Sequence, residues 1–128
     1  MNLKSIFKRL ILLELSLFIL MIVAIFFESN EAADFNRYFE NDWSNAILII
    51  FGIGLLIYLI NLFLLYKFKS IGKQIYLILF IVFGVLSLLS PPNAMDPWLY
   101  VLDGLQMANS GAILVFLYFT PIKKEFDK

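Results

Sequence analysis

The sequence contains neither cysteine nor histidine, and only 16% of its 128 residues are charged. The absence of cysteine excludes disulfides, a thiolate nucleophile and Cys-ligated metal. The absence of histidine removes the commonest ligand of haem, zinc and copper, and also the usual proton carrier near neutral pH. The formal net charge is zero, so no overall field attracts nucleic acid. We therefore expect no cofactor, no metal and no nucleic-acid partner.

Apolar residues, in contrast, make up 62% of the chain, and the mean hydropathy is +0.88. A soluble domain has about 45–50% apolar residues, and a small one cannot bury so large an excess. Segments in hydrocarbon become helices because their backbone groups must bond within the segment, and a span needs about 20 residues. The sequence thus predicts an all-α membrane protein. We expect one transmembrane domain over residues 1–128, a bundle with spans at about 7–27, 45–66, 71–90 and 97–120.

The basic residues predict the orientation of this bundle. Nine of the ten would lie on one side, which the positive-inside rule makes cytoplasmic. They are Lys4, Lys8, Arg9, Lys67, Lys69, Lys73, Lys123, Lys124 and Lys128. Only Arg37 lies in a loop on the opposite side. Both termini are therefore expected in the cytoplasm (N-in, C-in).

The first outer loop has an aromatic pattern. Phe35, Tyr38, Phe39 and Trp43 recur at spacings that place them on one face of a short amphipathic helix. Such a face suits the headgroup region of a bilayer. It is either an interfacial anchor for the second span or a docking face for a partner.

Polar residues inside predicted spans are costly, so each one is a functional hypothesis. Glu14 is expected about one turn inside the cytoplasmic end of the first span, within reach of water, Lys8 or Arg9. Asn61 is expected at a similar depth in the second span, which predicts a Glu14–Asn61 hydrogen bond. The alternative is a proton-linked carboxylate used in transport.

The last span carries a polar stripe and a row of small residues. The stripe consists of Asp103, Gln106, Asn109 and Ser110. The row, at four-residue spacing, consists of Gly104, Ala108 and Ala112, and it would allow close approach by another helix. The stripe is either polar glue within a bundle, a solvated cavity or a subunit interface.

No cluster of residues indicates catalysis. Serine without histidine lacks the usual base for acyl transfer. Glu14 and Asp103 are expected in opposite leaflets, too far apart for paired-carboxylate chemistry. We therefore expect that the protein is not an enzyme, and a lipid-modifying enzyme ranks third among the hypotheses.

The closing stretch supports a resemblance. It runs from Asp103-Gly104 through Gly111-Ala112-Ile113-Leu114 to Tyr118-Phe119-Thr120-Pro121. This stretch resembles the C-terminus of small, uncharacterised four-helix proteins of bacterial inner membranes. The resemblance implies a multi-pass protein of that membrane. Glu14 is also similar to the first-helix glutamate of small multidrug-resistance transporters, whose tryptophan and tyrosine positions in the third helix are missing here.

Two functions remain open at this stage. The leading hypothesis is a protein that acts through helix–helix contact, as an accessory subunit, a membrane partner or an immunity-type protein. Its partners would be the lipid bilayer and other membrane helices, in a homo- or hetero-oligomer. The alternative is an oligomeric small-molecule or ion transporter or channel that uses Glu14 or Asp103.

Overall fold

The computed structural model describes residues 2–39 and 45–128, and all regular structure in these ranges is helical. The helices are α1 Leu3–Ile25, α2 Asn30–Tyr38, α3 Asn45–Tyr66, α4 Ser70–Leu89, α5 Pro97–Phe119 and α6 Lys123–Phe126. The predicted all-helical fold is thus confirmed for the described part of the chain. Three predicted spans agree with α3, α4 and α5 to within one residue. The first begins earlier than predicted, at Leu3 instead of residue 7, because the basic residues at its start continue the helix.

Three helices, α3, α4 and α5, are long and apolar enough to cross a membrane. The first helix meets this criterion only together with α2, and the two are separated by a bend of 88°. The reason lies in the sequence of α1, where Lys8, Arg9 and Glu14 interrupt the apolar run. Residues 2–39 and 45–128 therefore contain three such helices, or up to four if the bent pair counts as one span.

The end of the bundle that contains the α1–α2 corner and the start of α5 is acidic, and hydrogen bonds hold these segments together. The Ser29 N–H donates to the Asp96 carboxylate at 2.8 Å. Hydrogen bonds from Ser29 hold the pKa of the Asp96 carboxyl below its ordinary value. The Asn36 side chain donates to Glu28 at 2.6 Å and to the Ala94 carbonyl at 3.1 Å. Asp96 thus joins two segments of the chain and does not cap its own helix.

The amphipathic segment predicted in the first outer loop is present as α2. Phe35 is 45% exposed and Tyr38 is 82% exposed, and both rings contact Phe39 at the C-terminal end of the helix. Trp43, the fourth predicted aromatic, lies outside the described residues.

The opposite end of the bundle is basic and closes around aromatic rings. The turn between α3 and α4 places Phe68 in the left-handed region, at φ 55°. The N–H groups of Phe68 and Lys69 bond back to the carbonyls of Leu65 and Leu64, which is a Schellman ending with phenylalanine in the place of the usual glycine. The ring of Phe68 packs against those of Phe7 and Phe126, and this contact offsets the backbone strain.

Most of the core lies in the half of the bundle nearest this basic end. The short helix α6 folds back so that Phe126 is fully buried beside Phe7, and Lys4 pairs with Glu125 at 2.9 Å. The core side chains that surround this contact are Ile11, Leu62, Leu65, Ile113 and Leu117. This packing brings the middle of α1 against α3 and α5.

Candidate functional site

Glu14 lies near the middle of α1 and is completely buried. The expectation that it reaches water, Lys8 or Arg9 is therefore wrong. The helix starts at Leu3, and the face that carries Glu14 also carries the buried residues Phe7 and Ile11. These side chains turn the carboxylate into the bundle and away from the basic residues.

Each of the three neighbouring long helices provides a hydrogen-bond donor to this carboxylate. The hydroxyls of Tyr58 on α3 and Tyr76 on α4 donate to Oε1 at 2.8 and 3.2 Å. On α5, Ser110 donates to Oε1 at 2.5 Å and Asn109 donates to Oε2 at 2.6 Å. We call these five residues the Glu14 network.

Two further contacts extend the Glu14 network. The Asn109 amide also donates to the Leu10 backbone carbonyl at 3.1 Å, which ties α5 to α1 a second time. Gln106 donates to the Tyr58 hydroxyl at 3.4 Å. The contacts around Glu14 thus include three of the predicted stripe residues, Gln106, Asn109 and Ser110. In the sequence, the stripe and Glu14 are two separate features.

The Glu14 network satisfies a group whose burial is otherwise costly. Removing a carboxylate from water without partners costs several kcal/mol. Within the described ranges, the two carboxylate oxygens of Glu14 accept four hydrogen bonds, each donated by a hydroxyl or an amide. The carboxylate therefore joins four helices, and none of these four donors is charged.

The expected Glu14–Asn61 hydrogen bond is wrong. Asn61 is completely buried, but within residues 2–39 and 45–128 neither its amide nitrogen nor its oxygen has a hydrogen-bond partner. Tyr58, one turn away on the same face of α3, reaches the carboxylate in its place. Asn61 instead packs where α3 and α4 approach closely, and a Cβ on Gly72 would lie 3.3 Å from its Oδ1.

Asp103 stays outside the Glu14 network. It is half-buried and has no hydrogen-bond or ion-pair partner among residues 2–39 and 45–128. The row of small residues is also not packed inside the chain. Gly104 and Ala108 are exposed and Ala112 is half-buried. Among the described residues, a Cβ on Gly104 would meet nothing within 4 Å, so the close approach expected there does not occur between the described helices.

The chemistry available at the site is limited. In the described part of the chain, no group of three or more acidic residues is arranged to hold a metal ion. The groove between α3 and α4 is lined by apolar side chains such as Ile53, Ile57 and Phe83, with Gly54 beneath the Phe83 ring. The carboxylate of Glu14 does not open onto this groove, because the carboxylate is fully buried.

Comparison with known proteins gives no further assignment, since no family model, no curated protein and no solved structure matches the chain. The candidate site therefore depends on its own geometry.

Sequence reasoning missed the role of the two tyrosines. Tyr58 shares a helical face with Asn61, but no pattern in the sequence pairs the hydroxyl of Tyr58 or Tyr76 with Glu14. The signal for both is the carboxylate itself, because a buried Glu14 requires donors. Few donors other than these tyrosines are available at that level of α3 and α4.

Proposed function

We propose that the chain is a multi-pass protein of a bacterial inner membrane that acts through helix–helix contact with other membrane helices. In this proposal α1 contains the first span, at about residues 7–27, and α2 lies in the first outer loop. In this proposal the Glu14 network builds the bundle, and the outer surface of α5 makes the contact. The protein would serve as an accessory subunit or partner of another membrane protein.

The observation that carries the proposal is the unpacked face of α5. Gly104 and Ala108 form a small-xxx-small pair with exposed backbone and open space above Gly104. Such pairs favour close association of helices in lipid, where van der Waals packing replaces the hydrophobic effect. The side chain of Asp103, the residue next to Gly104, has no partner in the described residues. A carboxylate in a spanning helix is stabilised by a polar partner, and here that partner would come from another helix.

The alternative hypothesis of transport through Glu14 receives less support from the geometry. A transport carboxylate must exchange protons or ions with water on each side of the membrane. Glu14 is completely buried and accepts hydrogen bonds from four side chains.

Site-specific cross-linking in native membranes tests the proposal. The sequence has no cysteine, so an introduced cysteine is the single thiol that this chain offers to the reagent. The Ala108→Cys variant is treated with a cross-linker that has one thiol-reactive end and one thiol-reactive or photoactivated end. It should give one discrete adduct with another protein. Ile81→Cys on α4 is the control because Ile81 is 56% exposed on another face.

A disrupting substitution makes the test specific. Gly104→Leu should abolish the adduct from position 108, because a large side chain there separates the helices. Gly84→Leu should preserve the adduct, since a Cβ on Gly84 also meets nothing within 4 Å but lies on α4. Equal yields from positions 108 and 81, or an adduct unaffected by Gly104→Leu, would contradict the proposal.

Orientation is tested separately by reporter fusions. Fusions after Lys73 and Lys128 should report cytoplasm, and fusions at Asn36 and Asn93 should report the outside. A cytoplasmic signal at Asn36 would reverse the proposed topology.

A further inference from the structure

A second cleft lies at the basic end of the bundle, beside the start of α1 and separate from the Glu14 network. Its volume is about 470 Å³. Polar and aromatic side chains line it, among them Lys4, Ser5, Lys8, Arg9, Tyr66 and Phe68. Neither the Glu14 network nor the contact face of α5 accounts for this cleft.

The cations in the cleft differ in how they are neutralised. Lys4 is paired with Glu125. Lys8 and Arg9 form no ion pair with any carboxylate in residues 2–39 and 45–128. The Lys8 ammonium is nevertheless held in place, 4.7 Å from the centre of the Tyr66 ring and 5.7 Å from that of Phe68. The cleft thus presents a positioned lysine and a neighbouring arginine that lack a counter-charge.

The wall of the cleft changes from basic to apolar along α1. Leu12 lines the cleft and is 51% exposed, and Leu13 beside it is 47% exposed. A ligand seated here would meet positive charge at one end and aliphatic surface at the other. A phospholipid has this construction, whereas inorganic phosphate or a soluble sugar phosphate has no apolar part to use Leu12.

We infer that this cleft binds the phosphate of an anionic phospholipid through Lys8 and Arg9, with an acyl chain along the exposed leucines of α1. Arginine binds phosphate through a fork of two N–H groups, and lysine adds a point charge. The inference rests on the membrane location proposed above and is independent of the contact face on α5. It would fix one lipid at the end of the helix that carries Glu14.

Native mass spectrometry of the purified protein in a neutral detergent tests this inference. Phosphatidylglycerol should bind at least about tenfold more tightly than phosphatidylcholine, since each basic residue near an anionic headgroup contributes about 1 kcal/mol. Lys8→Gln/Arg9→Gln should abolish the difference. Lys123→Gln/Lys124→Gln should preserve it, because it removes the same charge from the same end of the bundle but outside the cleft.

Two additional arms make the result decisive. Arg9→Gln alone should lose several-fold affinity for phosphatidylglycerol at unchanged thermal stability, because Arg9 is exposed and lies over no aromatic ring in the described part of the chain. Millimolar inorganic phosphate should not displace the lipid. An equal loss in both double variants would show unspecific attraction to the basic end and overturn the inference. Displacement by phosphate would assign the cleft to a soluble anion and overturn it as well.

Discussion

At the scale of single residues, the structure depends on one buried carboxylate and its donors. Glu14 joins α1 to Tyr58, Tyr76, Asn109 and Ser110, so that one side chain connects all four long helices. Asn61 shows the converse, because it is equally buried and its amide has no hydrogen-bond partner among the described residues. The difference arises from packing, which brings Tyr58 to Glu14 and Asn61 to the close approach of α3 and α4 at Gly72.

Tyr58→Phe tests the contribution of one donor. The substitution keeps the ring, which packs 5.6 Å from that of Phe18, and removes the hydroxyl that bonds Glu14 and Gln106. We expect the free energy of unfolding in mixed micelles to fall by about 1 kcal/mol. Tyr100→Phe is the control, since Tyr100 is 70% exposed and should change stability by less than about 0.5 kcal/mol. Equal effects of the two substitutions would mean that the Tyr58 hydroxyl does not support the bundle.

At the scale of elements, the α3–α4 hairpin depends on close backbone contact near its turn. A Cβ on Gly72 would lie 3.2 Å from the Cβ of Leu64 and 3.3 Å from the backbone nitrogen of Leu65. Backbone atoms cannot move aside as a flexible side chain can, so a methyl group there forces the two helices apart.

Gly72→Ala should therefore destabilise the protein by about 1–3 kcal/mol. Gly84→Ala is the matched control on the same helix, because nothing lies within 4 Å of its added Cβ. It should be neutral or slightly stabilising, since alanine favours helix over glycine by up to about 1 kcal/mol. Thermal unfolding of both variants in detergent measures the difference. A Gly72→Ala variant as stable as Gly84→Ala would refute the close approach.

The docking of α6 should depend on pH. Hydrogen bonds from the ammonium groups of Lys4 and Lys128 hold the pKa of the Glu125 carboxyl below its ordinary value. A lowered pKa means that the stabilisation is complete above the ordinary glutamate range and is lost as the pH falls through the lowered pKa. At neutral pH, wild type should have a higher free energy of unfolding than Glu125→Gln. This difference in the free energy of unfolding should shrink towards zero as the pH is lowered. The same comparison with Glu31→Gln, an exposed carboxylate on α2, should show no such convergence. A constant gap between wild type and Glu125→Gln would exclude this ion pair as a source of pH dependence.

At the scale of the whole molecule, the sequence predicts the helices better than the contacts between them. Apolar runs and proline positions define α3, α4 and α5, because spans in hydrocarbon must be continuous helices. The partner of Glu14 depends on the rotation of four helices about their axes, and composition carries no direct signal for that rotation. Asn61 and Tyr58 lie on one face of α3, so only the packing distinguishes which of them reaches the carboxylate. The residues of the polar stripe can be read from the sequence, but the contact of Asn109 and Ser110 with Glu14 cannot, because it also depends on helix rotation.

The division between inner and outer polar groups follows from the same packing. Asn109 and Ser110 face α1, whereas Asp103, about two turns earlier on α5, is half-buried and its side chain has no partner among residues 2–39 and 45–128. The Glu14 carboxylate accepts four hydrogen bonds, whereas the buried Gln106 Oε1 and Asn61 amide have no hydrogen-bond partner in the described part of the chain. The unsatisfied carboxylate and the small-residue face remain on the surface of α5.

The central claim is that Glu14 is sealed inside one chain while Asp103 remains accessible. Labelling with a lipid-soluble carbodiimide, followed by peptide mass spectrometry, tests both carboxylates in one experiment. In the folded protein we predict modification of Asp103 and protection of Glu14, and unfolding in denaturing detergent should make Glu14 reactive. Modification of Glu14 in the folded protein at the rate of Asp103 would contradict the claim. It would show that the carboxylate opens to lipid or water, as the transport hypothesis requires.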